Sequence, residues 1–183
     1  FVVVAHDGLA HVIAVGAVAR GPVAPRRTTQ PGVLHDVEEP DRTVGVLETL
    51  EYLPADHPDR AAIVRTLQDA AGGIARVQDS GTGVWWDVLD QPKRPGNYLE
   101  ASASSMFAYA LARGTRLGLL DARYRVVAQR AFGGILANLV RENVDGTISL
   151  INIVQVSGLG GAPRRDGSAR DGTHRYYVSE PVV

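Results

Sequence analysis

Three clusters of residues in this chain have types and spacings that can do chemistry. Residues 158 to 168 read Gly-Leu-Gly-Gly-Ala-Pro-Arg-Arg-Asp-Gly-Ser, and Tyr176-Tyr177-Val178-Ser179-Glu180-Pro181 follow shortly after. A glycine-rich loop leading into Arg164 and Arg165 suggests, at first sight, a phosphate cradle. No lysine follows in a G-x-x-x-x-G-K pattern, which disfavours a nucleotide site and leaves a flexible surface loop as the plain alternative. The second cluster is Glu100, Ser102 and Ser104 at the start of a helical pattern. Capping explains Ser102 and compensation of the helix dipole explains Glu100, whereas an anion-binding helix terminus is the functional alternative. The third is the adjacent pair Trp85-Trp86.

Other chemistries are excluded by what the chain lacks. It has no cysteine, hence no disulfide, thiolate nucleophile or thiolate-bound metal. Its histidines, His6, His11, His35, His57 and His174, show no ligand spacing. His6 and His11 are five apart and miss the i, i+4 face of a zinc-binding helix, so no metal site is expected. A G-x-S-x-G nucleophile elbow is absent. The formal net charge of -1 gives no electrostatic case for nucleic acid or an anionic membrane as partner. The apolar first nineteen residues are interrupted by His6, Asp7 and His11, and fit neither a signal peptide nor a membrane span. At 183 residues, with 45% hydrophobic and 21% charged residues, the chain reads as one soluble domain spanning 1–183.

The elements that must position these residues are mainly helices. From Pro58 onward, Ile63, Leu67, Ala70, Ala71, Ile74 and Val77 fall at three- and four-residue spacing on one face, predicting a helix that stops near Ser80-Gly81-Thr82-Gly83. A second helix is predicted from about Glu100 to Arg116, with Met106, Ala110 and Leu111 inward and Gly118 just past its end. A third begins after Asp121, a good N-cap, and carries Val126, Val127, Ala131, Ile135 and Leu139. Val44 to Leu53 forms a shorter helix ending at Pro54, and residues 20 to 42 read as loop. Val84–Leu89 and Thr147–Ile151 read as β-like pieces after glycine turns. The first nineteen residues are either a buried helix or a strand pair broken at Gly8 and Gly16.

An internal repeat links these elements. Ala71-Gly72-Gly73-Ile74-Ala75 recurs as Phe132-Gly133-Gly134-Ile135-Leu136, and Gly83 maps onto Gly146 after a two-residue slip. Paired glycines inside a helix cost about 1 kcal/mol each relative to alanine, so close helix–helix approach is expected to compensate. Repeated helical hairpins of this kind suggest an all-α toroid, with an ordinary helical bundle as the alternative.

Several ordered motifs resemble the unsaturated rhamnogalacturonyl hydrolases, glycoside hydrolase families 105 and 88. These are Leu50-Glu51-Tyr52-Leu53-Pro54; Gln78-Asp79 through Gly83, Trp85, Val88, Leu89 and Asp90; Glu100, Ser102, Ser104, Met106 and Phe107; and the Gly158-Leu159-Gly160-Gly161 loop. The resemblance runs from Val44 to Val183 and marks residues 1 to 43 as an atypical segment. It implies an (α/α)6 barrel, here incomplete, and removal of a terminal unsaturated uronic acid from pectin-derived oligosaccharides inside a bacterial cell, in the cytoplasm. It implies no cofactor.

In the implied chemistry one aspartate protonates the C4=C5 enol ether, water adds at C5, and the resulting hemiketal opens and expels the neighbouring sugar. The two flanking carboxylates of ordinary glycosidases are then not required. The family's N-terminal aspartate segment and its Trp-x-Arg-Gly-Asn-Gly-Trp-like motif have no counterpart here, which makes the chain resemble the C-terminal portion of a larger enzyme. Asp7 is the one candidate for the acid, against the alternative of a turn aspartate before glycine. The resemblance further implies that the loop closes over the sugar, with Gly158, Gly160, Gly161, Arg165 and Tyr176 as binding residues and Arg165 on the uronate. Trp85, Glu100 and Ser102 complete the substrate-binding set, although core packing is the competing reading for either tryptophan. Residues 169 to 174 read as an insertion relative to the family pattern. A toroid fragment that binds carbohydrate or a protein partner without turnover is the rival function.

Overall fold

The computed structural model describes residues 2–6, 9–13, 39–154 and 181–182, with side chains described from Thr43 to Val154. The chain divides into two compact units, Phe1–Val33 and Leu34–Val183. In the first, β1 (Val2–His6) pairs antiparallel with β2 (Leu9–Ile13), from Val2 opposite Ile13 to His6 opposite Leu9. Within residues 2–6 and 9–13 the strand-pair reading is the one realised; Gly8 and Gly16 lie outside the described residues.

Among the described residues the second unit holds four helices, formed where the apolar residues fall at helical spacing. α1 spans Glu39–Tyr52 and so includes residues 39 to 42, which composition assigned to loop; Pro40 sits in the first turn, where a missing N–H costs little. Pro54 follows its end. The freed carbonyls there are taken by Arg60, whose Nη1 donates to the carbonyls of Leu50 (2.8 Å) and Leu53 (2.7 Å). α2 spans Arg60–Arg76 and buries Leu67, Ala71 and Ile74. α3 spans Ala101–Arg116, burying Phe107, Ala110 and Leu111, with Met106 half-buried; Gly118 follows at φ +70°. α4 spans Tyr124–Asn138 and buries Tyr124, Ala128, Ala131 and Ile135. Asp121 caps the turn before it, accepting from the Arg123 N–H at 2.8 Å. Val126, expected inside, is 66% exposed. It lies nine residues from buried Ile135, about two and a half turns, which places the two on opposite sides of the helix.

α1 packs against α2 and α3, α3 packs against α4, and α2 touches α4 only lightly. The α1–α3 contact is keyed by two polar pairs. Tyr109 Oη donates to Glu48 Oε1 at 2.5 Å, and Arg113 makes a bidentate contact to the Glu51 carboxylate. Burial and the adjacent Glu48 carboxylate both push the Tyr109 phenol well above its ordinary value. Trp85 lies at the centre of the core, its ring edge-on to Phe107 with centroids 5.2 Å apart.

Val84–Leu89 does not form a strand. Its one ladder contact is a bridge between Trp86 and Leu99. Val84, Trp85, Val88 and Leu89 are all buried, so the apolar run that looked strand-like is an irregular segment enclosed by helices. Thr147–Ile151 does contain a strand, β4 (Ile148–Leu150), paired with β3 (Val140–Glu142). A further two-residue ribbon joins β5 (Ile153–Val154) to β6 (Pro181–Val182).

Of the two glycine pairs only Gly134 meets a close approach; on α2 a Cβ at Gly72 would make ordinary contact with the Tyr124 hydroxyl of α4, at 3.6 Å. A Cβ on Gly134 would lie 2.2 Å from the carbonyl oxygen of Thr82, so it is a loop and not a helix that lands on α4 there. Gly83 faces the same helix: its Cβ would meet the Arg130 carbonyl oxygen at 2.8 Å, and its φ of +81° favours glycine as well.

Candidate functional site

The sequence-predicted residues that the structure describes converge at the start of α3. Glu100 is the N-cap of this helix, with extended backbone (φ -102°, ψ 127°). Its carboxylate is buried and fully engaged. Oε1 accepts from the Ser102 N–H (3.1 Å), the Ser102 hydroxyl (2.8 Å) and the Val154 N–H (3.0 Å), while Oε2 accepts from the Ala103 N–H (2.5 Å). The sequence-based roles are therefore exchanged: Glu100 caps, and Ser102, inside the first turn, donates to it. All orphan donors that a bound anion would use at this terminus are satisfied within the protein.

Trp85 reaches the same junction from the preceding segment. Its N–H donates to Ser104 Oγ (3.0 Å), its carbonyl accepts from the Glu100 N–H (2.9 Å), and its indole Nε1 donates to the Ile74 carbonyl (2.9 Å). The residue is wholly buried, so its ring offers no face to a sugar in the described chain. Trp86 is the half-exposed member of the pair. Its indole N–H donates to Asp79 Oδ2 at 3.2 Å, which ties the ring to the Asp79–Gly83 turn.

The turn itself explains why a Gln-Asp pair precedes the glycines. Asp79 Oδ1 accepts from the Gly81 N–H (3.1 Å), the Thr82 N–H (2.8 Å) and the Thr82 hydroxyl (2.8 Å). Partial burial alone would raise its carboxyl, but the hydrogen bonds from Thr82, Trp86 and Gly81 outweigh it and hold the group below the ordinary aspartate value. Gln78 Nε2 donates to the carbonyls of Gly83 (2.7 Å) and Val127 (3.0 Å), tying turn to α4. Asn97 staples the next loop in the same way, donating from Nδ2 to the Val88 and Gln91 carbonyls (2.9 Å each) and accepting from the Val88 N–H (3.0 Å).

Sequence reasoning gave no role to Asp87, a buried carboxylate between Trp86 and Val88 whose N–H donates to the Tyr98 carbonyl at 2.8 Å. The signal available was an acidic residue inside an otherwise apolar run, Val84 to Leu89. Asp7, Gly158, Gly160, Gly161, Arg165 and Tyr176 lie outside the described residues. No helix among the described residues is long and apolar enough to cross a membrane.

Comparison with known proteins places this geometry among helical glycoside hydrolases. A family 105 glycoside hydrolase from C. acetobutylicum is 39% identical, with a TM-score of 0.74, over 83% of this chain and 41% of its own. A possible family 105 member from Salmonella enterica is 26% identical at TM-score 0.60, covering 77% of this chain and 32% of that one. Protein Atu3128 of Agrobacterium fabrum is 42% identical over 144 residues, which are 76% of this chain and 60% of that protein. The model of Glycosyl Hydrolase Family 88 matches residues 42–183, and the chain belongs to this family. It spans about three-fifths of the curated relative and two-fifths of the solved one.

Proposed function

We propose that this chain is part of a glycoside hydrolase that removes a terminal unsaturated uronic acid from pectin-derived, rhamnogalacturonan oligosaccharides. The observation carrying this reading is the family match over residues 42–183 together with the 39% identical family 105 structure. In the whole protein, α1 to α4 form part of an (α/α)6 ring. An aspartate, for which Asp7 is this chain's candidate, protonates C4 of the enol ether; water adds at C5; the hemiketal opens and the aglycone leaves. Arg165 pairs with the uronate through two parallel hydrogen bonds, and Gly158, Gly160, Gly161 and Tyr176 shape the loop around it. Trp86, the half-exposed ring, takes the stacking role considered for Trp85.

The direct test follows the ultraviolet absorbance of the enol ether in an unsaturated rhamnogalacturonan disaccharide after the chain is added. Loss of absorbance is expected. Unchanged absorbance with a folded chain would favour the rival, a carbohydrate-binding portion without turnover, and calorimetric titration with the same disaccharide would then show binding alone. Arg165→Ala should weaken that binding without lowering the melting temperature; unchanged affinity would remove the loop from the site.

A further inference from the structure

Glu100 is an unusual choice for an N-cap. Asn, Asp, Ser and Thr lead at that position because a short side chain reaches back to the second and third helical N–H groups. Here the longer side chain makes both of those bonds, to Ser102 and Ala103, and one more that a short one would not: the Val154 N–H, 54 positions further along the chain, at 3.0 Å. A second strap runs alongside, since the Ala101 N–H donates to the Asn152 carbonyl at 3.0 Å. Val154 belongs to β5, which pairs with β6 through Val154 opposite Pro181 and Ile153 opposite Val182. The ribbon that receives the Glu100 carboxylate and this second strap therefore flanks residues 155 to 180 in sequence on both sides.

We propose that Glu100 is a positioning residue. Its carboxylate joins the first turn of α3 to the β5–β6 ribbon, and thereby fixes the base of the chain segment 155–180. The burial of Glu100, at 1% exposure, and its occupation by four donors rule it out as a direct ligand for substrate and leave it this mechanical role. The connection to catalysis rests on the function proposed above; the joint itself does not.

Glu100→Asp separates the two jobs. Aspartate caps as well as any residue, but it is one methylene shorter, about 1.5 Å, and loses Val154. Hydrogen exchange on the 183-residue chain, read by mass spectrometry on peptides covering 101–107 and 150–156, should show the α3 peptide unchanged and the ribbon peptide exchanging about tenfold faster, as expected for one lost charge-assisted bond. Glu100→Ala should loosen both peptides. A native ribbon rate in Glu100→Asp overturns the proposal, and so does equal loosening of both peptides, which would make Glu100 a cap alone. In turnover of the unsaturated disaccharide, Glu100→Asp should raise KM with kcat retained. An unmoved KM beside a loosened ribbon would leave the joint intact and contradict the role of the loop in sugar binding.

Discussion

The helices α2 and α4, each carrying a Gly-Gly-Ile motif, and the turns after them repeat a short sequence pattern but bury it differently. In the first copy the turn from Asp79 to Gly83 lies directly on α4, and Trp85 beyond it is wholly buried. In the second, the turn from Asn143 to Thr147 faces solvent: Val144 is fully exposed, and Ile148, the repeat counterpart of Trp85, is 74% exposed. The glycines diverge likewise. A Cβ on Gly134 collides with the Thr82 backbone, whereas one on its repeat counterpart Gly73 meets only the end of the Arg76 side chain, at 3.8 Å. The difference teaches that a repeated motif transmits geometry but not burden. A residue is demanded only where another part of the chain comes to rest on it.

Substitutions in the two copies should separate them sharply. Trp85→Ala removes the largest fully buried side chain and should cost about 4 kcal/mol of unfolding free energy, whereas Ile148→Ala should cost under about 0.5 kcal/mol. Urea denaturation of both variants checks this, and comparable losses would erase the contrast. Gly134→Ala should cost about 2–3 kcal/mol, because the colliding atom is a backbone carbonyl that cannot swing away. Gly73→Ala, at the counterpart position in α2, should instead stabilise by up to about 1 kcal/mol through helix propensity, and a destabilised Gly73→Ala would show that something rests on that face.

A smaller effect distinguishes the two turn aspartates. Asp79 and Asp145 both have carboxyls held below the ordinary value. Asp79 is lowered by hydrogen bonds from Thr82, Trp86 and Gly81 that overcome partial burial. Asp145 is lowered first by the Thr147 hydroxyl and then by the Thr147 N–H. A depressed folded-state pKa means that each aspartate's contribution is present above the unfolded value, near 4, and is lost as pH falls through the lower folded value. Asp79→Asn should therefore flatten the acid limb of the stability curve more than Asp145→Asn. The reason is that Asp79 also holds the Trp86 indole, while Asp145 is fully solvated. Thermal melts from pH 6 to pH 2 would reveal it, and equal flattening would contradict the assigned burden.

The helices were legible because Leu67, Ala71 and Ile74, or Ala131 and Ile135, repeat at helical spacing. That signal survives without knowing the partner. Val84 to Leu89 misled for the complementary reason: with Val84, Trp85, Asp87, Val88 and Leu89 all buried and Trp86 half-exposed, the run carries no clean periodicity of either kind. At the site, the residue types at the α3 terminus were readable but their roles were not. Ser102 is the stronger capper by propensity, and nothing near position 100 announces that the amide of Val154 will arrive there. Long-range closure of this kind is set by tertiary packing, as is the landing of Thr82 on Gly134.

The proposed chemistry of this family member runs through the C4=C5 double bond. The most direct test presents the folded chain with an unsaturated rhamnogalacturonan disaccharide and its saturated counterpart in parallel, following released reducing sugar and enol-ether absorbance together. The account predicts that the unsaturated sugar alone is cleaved, with absorbance falling in step with release. Cleavage of the saturated disaccharide, or release with the absorbance preserved, would contradict it.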